Sequence, residues 1–211
     1  MIPPDGARRA MAMDKLSDSC GMNETIVVSG LPRSGTSMMM QLLGAAGIPL
    51  LHDMERPADA DNPNGYYELE KTRSLKTGSA FLSGSEGKAV KVISLLLYDL
   101  PPDRQYKVIF MLRDMAEILD SQSAMLIRTG KDDGLDRKHL ADSYEVHLRH
   151  VRAWLQTQKN FKVFYCSYNG LLSRPDGIFA ELNAFLGVGL DMRKAVSTID
   201  PALYRQRASK L

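Results

Sequence analysis

The chain has 211 residues, 44% of them hydrophobic, which is enough to bury one substantial core and favours a single globular domain over two small ones. Its 27 basic and 25 acidic side chains leave a formal net charge of +2, so no global field points to nucleic acid or to an anionic membrane, and any anion site must be local. Cys20 and Cys166 form no C-x-x-C pair, which argues against a disulfide framework or structural zinc and predicts a reducing, cytoplasmic setting.

Residues 1–23 mix Pro, Gly, Asp and Ser without the apolar core of a secretory signal, and read as a flexible tail ahead of one domain spanning 24–211. Nothing approaches the roughly 18 consecutive apolar residues of a membrane span. TIVVSG, from Thr25, is a β-branched run without polar alternation, as expected for a strand covered on both faces of a parallel sheet. SGTSMMMQLLGAAG follows as a helix whose apolar residues, Met38, Met39, Met40, Leu42 and Leu43, go nearly all round, so it should be largely buried, with Gly44 and Gly47 ending it. The Asp-, Asn-, Pro- and Gly-rich stretch IPLLHDMERPADADNPNGYY predicts an irregular connection, and ELEKTRSLKTGSAFL resumes with helix-favouring residues. An apolar run in KAVKVISLLLYDLPP stops at Pro101 and Pro102, and YKVIFMLRD is the clearest strand in the chain. MAEILDSQSAMLIR is an amphipathic helix; a long polar helix from about 137 to 159 leads to a strand, FKVFYCS; and PDGIFAELNAFLG is a helix with Pro175 near its start and Gly187 past its end. Strands alternating with helices predict an α/β domain with a mainly parallel sheet. Ligands in such sheets sit at the carboxyl ends of strands, here after Val28, Leu112 and Tyr165.

The first of those ends carries SGLPRSGTS. Gly30 and Gly35 bracket four residues between a buried strand and a helix, so backbone N–H groups and the positive helix end can converge on an anion. The stretch nearly matches the triphosphate loop G-x-x-x-x-G-K-[ST], but Thr36 stands at the lysine position. Arg33, at the loop apex, supplies a replacement charge whose planar fork suits a tetrahedral oxyanion. Ser37 retains the hydroxyl that holds Mg²⁺ in kinases, yet no strand of four apolar residues runs directly into Asp, which points to transfer chemistry without a metal.

VVSGLPRSGTS resembles the 5'-phosphosulfate loop of the sulfotransferases that use 3'-phosphoadenosine 5'-phosphosulfate (PAPS), whose P-[RK]-S-G-[TS] wording is specific to them. The resemblance implies that Arg33, Ser34, Gly35, Thr36 and Ser37 hold the donor. That family carries a second element, an arginine after a buried strand and a serine eight residues later, together holding the 3'-phosphate; VIFMLRDMAEILDSQ places Arg113 and Ser121 at that spacing. The alternative for Arg113 is a simple pair with Asp114 or a surface carboxylate. FYCSYNGLLSRPDGIFAELNAFLG resembles the family's later segment, with Tyr168, Leu171 and Leu172 in a supporting role, so the likeness runs over about residues 24–207. It implies a three-layer, P-loop-NTPase-like α/β fold, a mainly parallel sheet flanked by helices, PAPS as cosubstrate, and transfer to a hydroxyl or amine of a small-molecule or carbohydrate acceptor.

Sulfuryl transfer needs a base for the acceptor and positive groups for the leaving phosphate. DNPNGYYELEK resembles the N-P-x-G-[YF]-x-E stretch of bacterial and carbohydrate-type members, which implies Glu68 as base, with Glu70 the alternative. Both are also explained as charges on the solvated face of a helix with Lys71 and Arg73. The K-T-H stretch with a catalytic histidine and the R-K-G element of the aryl and steroid branch are missing, which disfavours a phenol or steroid acceptor. Of Lys88 and Lys91, the latter fits the family's lysine near the leaving phosphate, an edge-strand lysine being the alternative. Arg205 and Arg207 stand as a further contact on the 3'-phosphate side or as a solvated basic tail. DADNPNG fails as a calcium loop, with Lys71 where Glu is required, and His147 and His150 read as a solvated helix face. A P-loop kinase of a small metabolite or nucleoside and a non-catalytic nucleotide-binding protein are the competing readings, and the acceptor pocket is assigned to residues 48–90 and 126–145.

Overall fold

The computed structural model describes residues 23–199 except 54, 60, 61, 132, 133 and 135. The expected tail, apart from its last residue, and Arg205 and Arg207 therefore lie outside the described residues. Five parallel strands form one sheet in the order β2-β3-β1-β4-β5, comprising β1 (Thr25–Gly30), β2 (Leu50–Leu51), β3 (Ala89–Lys91), β4 (Tyr106–Leu112) and β5 (Phe161–Ser167). The helices are α1 (Thr36–Ala45), α2 (Met115–Thr129), α3 (Arg137–Thr157), α4 (Tyr168–Ser173), α5 (Pro175–Leu186) and α6 (Met192–Ser197).

All six residues of β1 are buried, and period-2 geometry explains why the strand shows no polar alternation. Ile26 and Val28 face α1, α5 and α6, where they meet Met39, Leu43, Phe179 and Leu182. Val27 faces the opposite layer, with Val90, Val108, Phe110, Leu97, Val151 and Leu155. Two apolar clusters, one on each face of the sheet, make the three layers expected from the sequence. No helix among the described residues is long and apolar enough to cross a membrane.

Three details differ from expectation. Gly44 lies inside α1 rather than ending it; the helix stops at Ala45 and Gly47 follows at φ 100°. A Cβ on Gly44 would come within 2.9 Å of Leu50 Cδ1, so this glycine permits close approach of β2 instead of breaking the helix. The expected helix after residue 67 is two short 3₁₀ turns, Glu70–Ser74 and Ala80–Leu82. There Thr72 and Thr77 hydroxyls donate to the carbonyls of Leu69 and Ser74, local bonds that compete with a continuing α-helix. The short β2, α4 and α6 were not anticipated; α4 is capped by the Ser167 hydroxyl, which accepts from Gly170 N at 3.1 Å.

Register sets the site. Val28 pairs with Lys91 on one side of β1, and Gly30 pairs with Met111 on the other. Lys91, the glycine-bracketed loop and Arg113 therefore leave the sheet at the same carboxyl edge.

Candidate active site

The loop after β1 takes backbone conformations that only particular residues allow. Gly30 has φ 147°, and a Cβ there would lie 2.5 Å from Ser34 Oγ and 2.8 Å from the Met111 carbonyl oxygen. Gly35, at φ 99°, precedes α1, and a Cβ on it would run into the Tyr168 ring. Arg33 itself sits at φ 67°, an uncommon conformation for a residue with a side chain. Arg33, Gly35, Thr36 and Ser37 line a cleft of about 420 Å³. Ser34 does not: it is buried beneath the loop with its hydroxyl unpartnered, and its N–H donates to the Leu31 carbonyl at 3.2 Å.

At one end of the cleft the two sequence elements meet. Arg33 Nε donates to Ser121 Oγ at 2.9 Å, and Arg113 Nη1 donates to the Arg33 carbonyl at 3.1 Å. Arg113 does not pair with Asp114, whose carboxylate instead caps α2, accepting from Ala116 N at 2.8 Å and Glu117 N at 3.3 Å. The partner is Glu117, one turn on, at 2.9 Å from Arg113 Nε. Glu117 is in turn bonded by Asn169 Nδ2 at 3.1 Å. The Arg113 guanidinium lies 4.3 Å from the Tyr168 ring centroid, a cation–π stack, and burial raises the Tyr168 phenol above its ordinary pKa.

At the other end, Lys91 is only 7% exposed, and β3 lies between β2 and β1, so the edge-strand reading is corrected. Its ammonium donates to Ser37 Oγ at 3.1 Å, the Tyr66 carbonyl at 3.0 Å and Glu68 Oε1 at 3.3 Å. Burial lowers the Lys91 pKa from its usual value, with Glu68 pulling in the opposite direction. Arg56 Nη1 also reaches Glu68 Oε1 at 3.3 Å, and Arg73 Nη2 stands 3.7 Å from Oε2. Glu70 pairs with Arg73 at 3.1 Å farther into solvent. Both carboxylates line the cleft, but of the two only Glu68 contacts Lys91, which in turn reaches Ser37 at the end of the glycine-bracketed loop. The Arg56 guanidinium stacks 3.3 Å from the Tyr66 ring centroid, and the Tyr66 hydroxyl donates to Asp59 at 2.9 Å.

Sequence reasoning missed Arg56, Glu117 and Asn169. Glu117 was accessible through its i, i+4 spacing from Arg113; Arg56 and Asn169 reach their partners only through tertiary folding. His147 is not on a solvated face: it is half-buried, its Nε2 lies 2.8 Å from Ser94 Oγ, and burial, then His150, lower its pKa. No described residue of 126–145 lines the cleft, which is bounded instead by residues 56–73, β3 and α2.

The family model described as the sulfotransferase domain matches residues 23–207. The chain belongs to the sulfotransferase family. A comparison with curated proteins gave no match. Among solved structures, a sulfotransferase from Mycobacterium tuberculosis is 17% identical with a TM-score of 0.55, over 92% of this chain and 76% of that one. The sulfotransferase domain of a Synechococcus olefin synthase is 16% identical with a TM-score of 0.52, covering 90% and 85%. A mouse sulfotransferase crystallised with PAP is 16% identical with a TM-score of 0.50, covering 93% and 71%. At these identities the structural likeness establishes the α/β sulfotransferase fold. In this sulfotransferase the cleft combines a glycine-bracketed anion loop, two arginines, a buried lysine and a carboxylate.

Proposed function

We propose that this sulfotransferase uses PAPS as donor and transfers its sulfuryl group to a hydroxyl of a small-molecule or carbohydrate acceptor. The observation that carries the reading is the 2.9 Å bond between Arg33 and Ser121, because it joins the phosphate loop to the Arg113 and Ser121 pair at one end of one cleft. The 5'-phosphosulfate lies on Arg33, Thr36, Ser37 and the loop amides, and the 3'-phosphate on Arg113 and Ser121. The unpartnered, buried Ser34 hydroxyl gives that residue a place in shaping the loop instead of touching the donor.

In the proposed step the acceptor oxygen attacks sulfur while the bond from sulfur to the bridging phosphate oxygen breaks. The electron pair leaves with 3',5'-ADP, and the acceptor proton passes to Glu68. Lys91, bonded both to Ser37 and to Glu68, stands where charge builds on the departing phosphate. Glu68 Oε1 is engaged by Arg56 and Lys91, whereas among the described residues Oε2 has only Arg73 at 3.7 Å, so Oε2 is the oxygen left to accept the acceptor's proton.

The reaction is proposed to proceed without a metal: Thr36 stands at the lysine position of the triphosphate loop, and Asp114, the first carboxylate after β4, is engaged as a helix cap. A single domain over residues 24–211 acting in the cytoplasm is part of the same proposal. Thermal-shift or calorimetric titration tests the donor assignment. 3',5'-ADP should stabilise the protein more than ATP with Mg²⁺; stabilisation by ATP with Mg²⁺ alone would replace the reading with a kinase.

A further inference from the structure

We infer that Glu117, steadied by Asn169, is the positioning residue that aims Arg113 at the 3'-phosphate, and so sets the preference for a 3'-phosphorylated nucleotide. The inference rests on the proposed role of Arg113. Glu117 is 1% exposed and Arg113 7%, so the pair lies where water does not loosen it. Glu117 Oε2 holds Nε, at the elbow of the guanidinium, while Nη1 is spent on the Arg33 carbonyl and one face rests on Tyr168. Elbow, edge and face are thus fixed by three different segments, α2, the loop after β1, and α4. This fixes the plane of the fork before any ligand arrives, and a planar fork recognises phosphate only when its plane is correct.

A buried ion pair is weak as a source of net stability, because removing two charges from water offsets most of their attraction. Its orientation of Arg113 is therefore the larger consequence. The identity of residue 169 supports this. Asn169 donates to Glu117 Oε1 at 3.1 Å and adds no charge. A carboxylate at that position would set a second negative charge beside Glu117 and draw on the same arginine, weakening the field offered to the 3'-phosphate.

The test compares 3',5'-ADP with 5'-AMP by calorimetry, with unfolding followed by circular dichroism in each variant. Glu117→Asp keeps the charge but withdraws the carboxylate by one methylene; it should reduce 3',5'-ADP affinity by at least about tenfold while 5'-AMP changes less than about threefold. Glu117→Gln keeps the length and an acceptor oxygen for Nε, and should retain most of the preference. Asn169→Asp, which perturbs Glu117 from a different segment and keeps Glu117 itself intact, should show the same selective loss. Equal losses for both nucleotides in Glu117→Asp and Asn169→Asp, or no loss in either, overturn the positioning role. A wild-type protein that binds the two nucleotides equally overturns the underlying 3'-phosphate assignment instead.

Discussion

Replacing Gly30 with alanine perturbs the point where β1 hands over to the phosphate loop. The φ of 147° lies in a region that side chains rarely enter, a strain of about 1–3 kcal/mol. The added Cβ would stand 2.5 Å from Ser34 Oγ, which can rotate, and 2.8 Å from the Met111 carbonyl oxygen, which is backbone and cannot yield without shifting β4. Overpacking of this kind adds about 1–3 kcal/mol. The sum, about 2–6 kcal/mol, is a large part of the roughly 5–15 kcal/mol that holds a domain folded. For a chain of this size it corresponds to a fall in Tm of about 4–24 °C. Urea unfolding followed by circular dichroism measures the loss. Because Met111 lies two residues before Arg113, the displacement also reaches the proposed 3'-phosphate site, and 3',5'-ADP affinity should fall more than 5'-AMP affinity. A Gly30→Ala protein within about 0.5 kcal/mol of wild type and with unchanged affinities would refute the close contact between loop and strand.

Glu68→Gln should lower turnover by about 10²–10⁴-fold while leaving 3',5'-ADP binding nearly unchanged; full turnover would move the base elsewhere, with Glu70→Gln the next measurement. Lys91 has a folded pKa below 10.5, so between that lowered value and 10.5 the unfolded chain holds the proton more tightly, and stability rises with pH across the window. Lys91→Met should flatten that rise in urea midpoints; an identical slope in both proteins would count against a buried, desolvated ammonium. His147 titrates below 6.5 when folded, so acid favours the unfolded chain from 6.5 downward, and His147→Gln should reduce the loss of stability on acidification. Ser94→Ala should destabilise by about 1 kcal/mol, read by the same urea titration; no change would make the contact with His147 incidental.

The parts of the fold readable in the sequence were those governed by short-range rules. The β-branched run of β1, Pro175 at the first turn of α5 and Gly187 in the left-handed conformation after it all follow from local preference. The glycine-bracketed loop and its meeting with Arg113 and Ser121 were legible because each element is fixed by adjacent backbone. Residues 68–82 misled because Glu, Lys, Arg and Leu have helical propensity, yet the Thr72 and Thr77 hydroxyls bond to nearby carbonyls and compete with a continuous α-helix in and after the first turn. The clamp on Glu68 was hidden, since Arg56 lies twelve residues away along an irregular connection and Lys91 twenty-three. His147 misled in the opposite sense: its place on a polar helix suggested water, but the turn bearing Ser94 packs against that helix.

The pairing of Gly30 with Met111 makes strand length a ruler between the loop after β1 and Arg113. A single residue inserted or deleted between Ile109 and Arg113 would move the arginine by about 3.3 Å and turn it toward the opposite layer, since side chains alternate along a strand. The connection between β2 and β3 is tied to the cleft at Tyr66 and Glu68, but its length elsewhere can change without altering the register between β1 and β4. The cleft wall can therefore vary by insertion while the spacing between the loop after β1 and Arg113 stays fixed in the sheet.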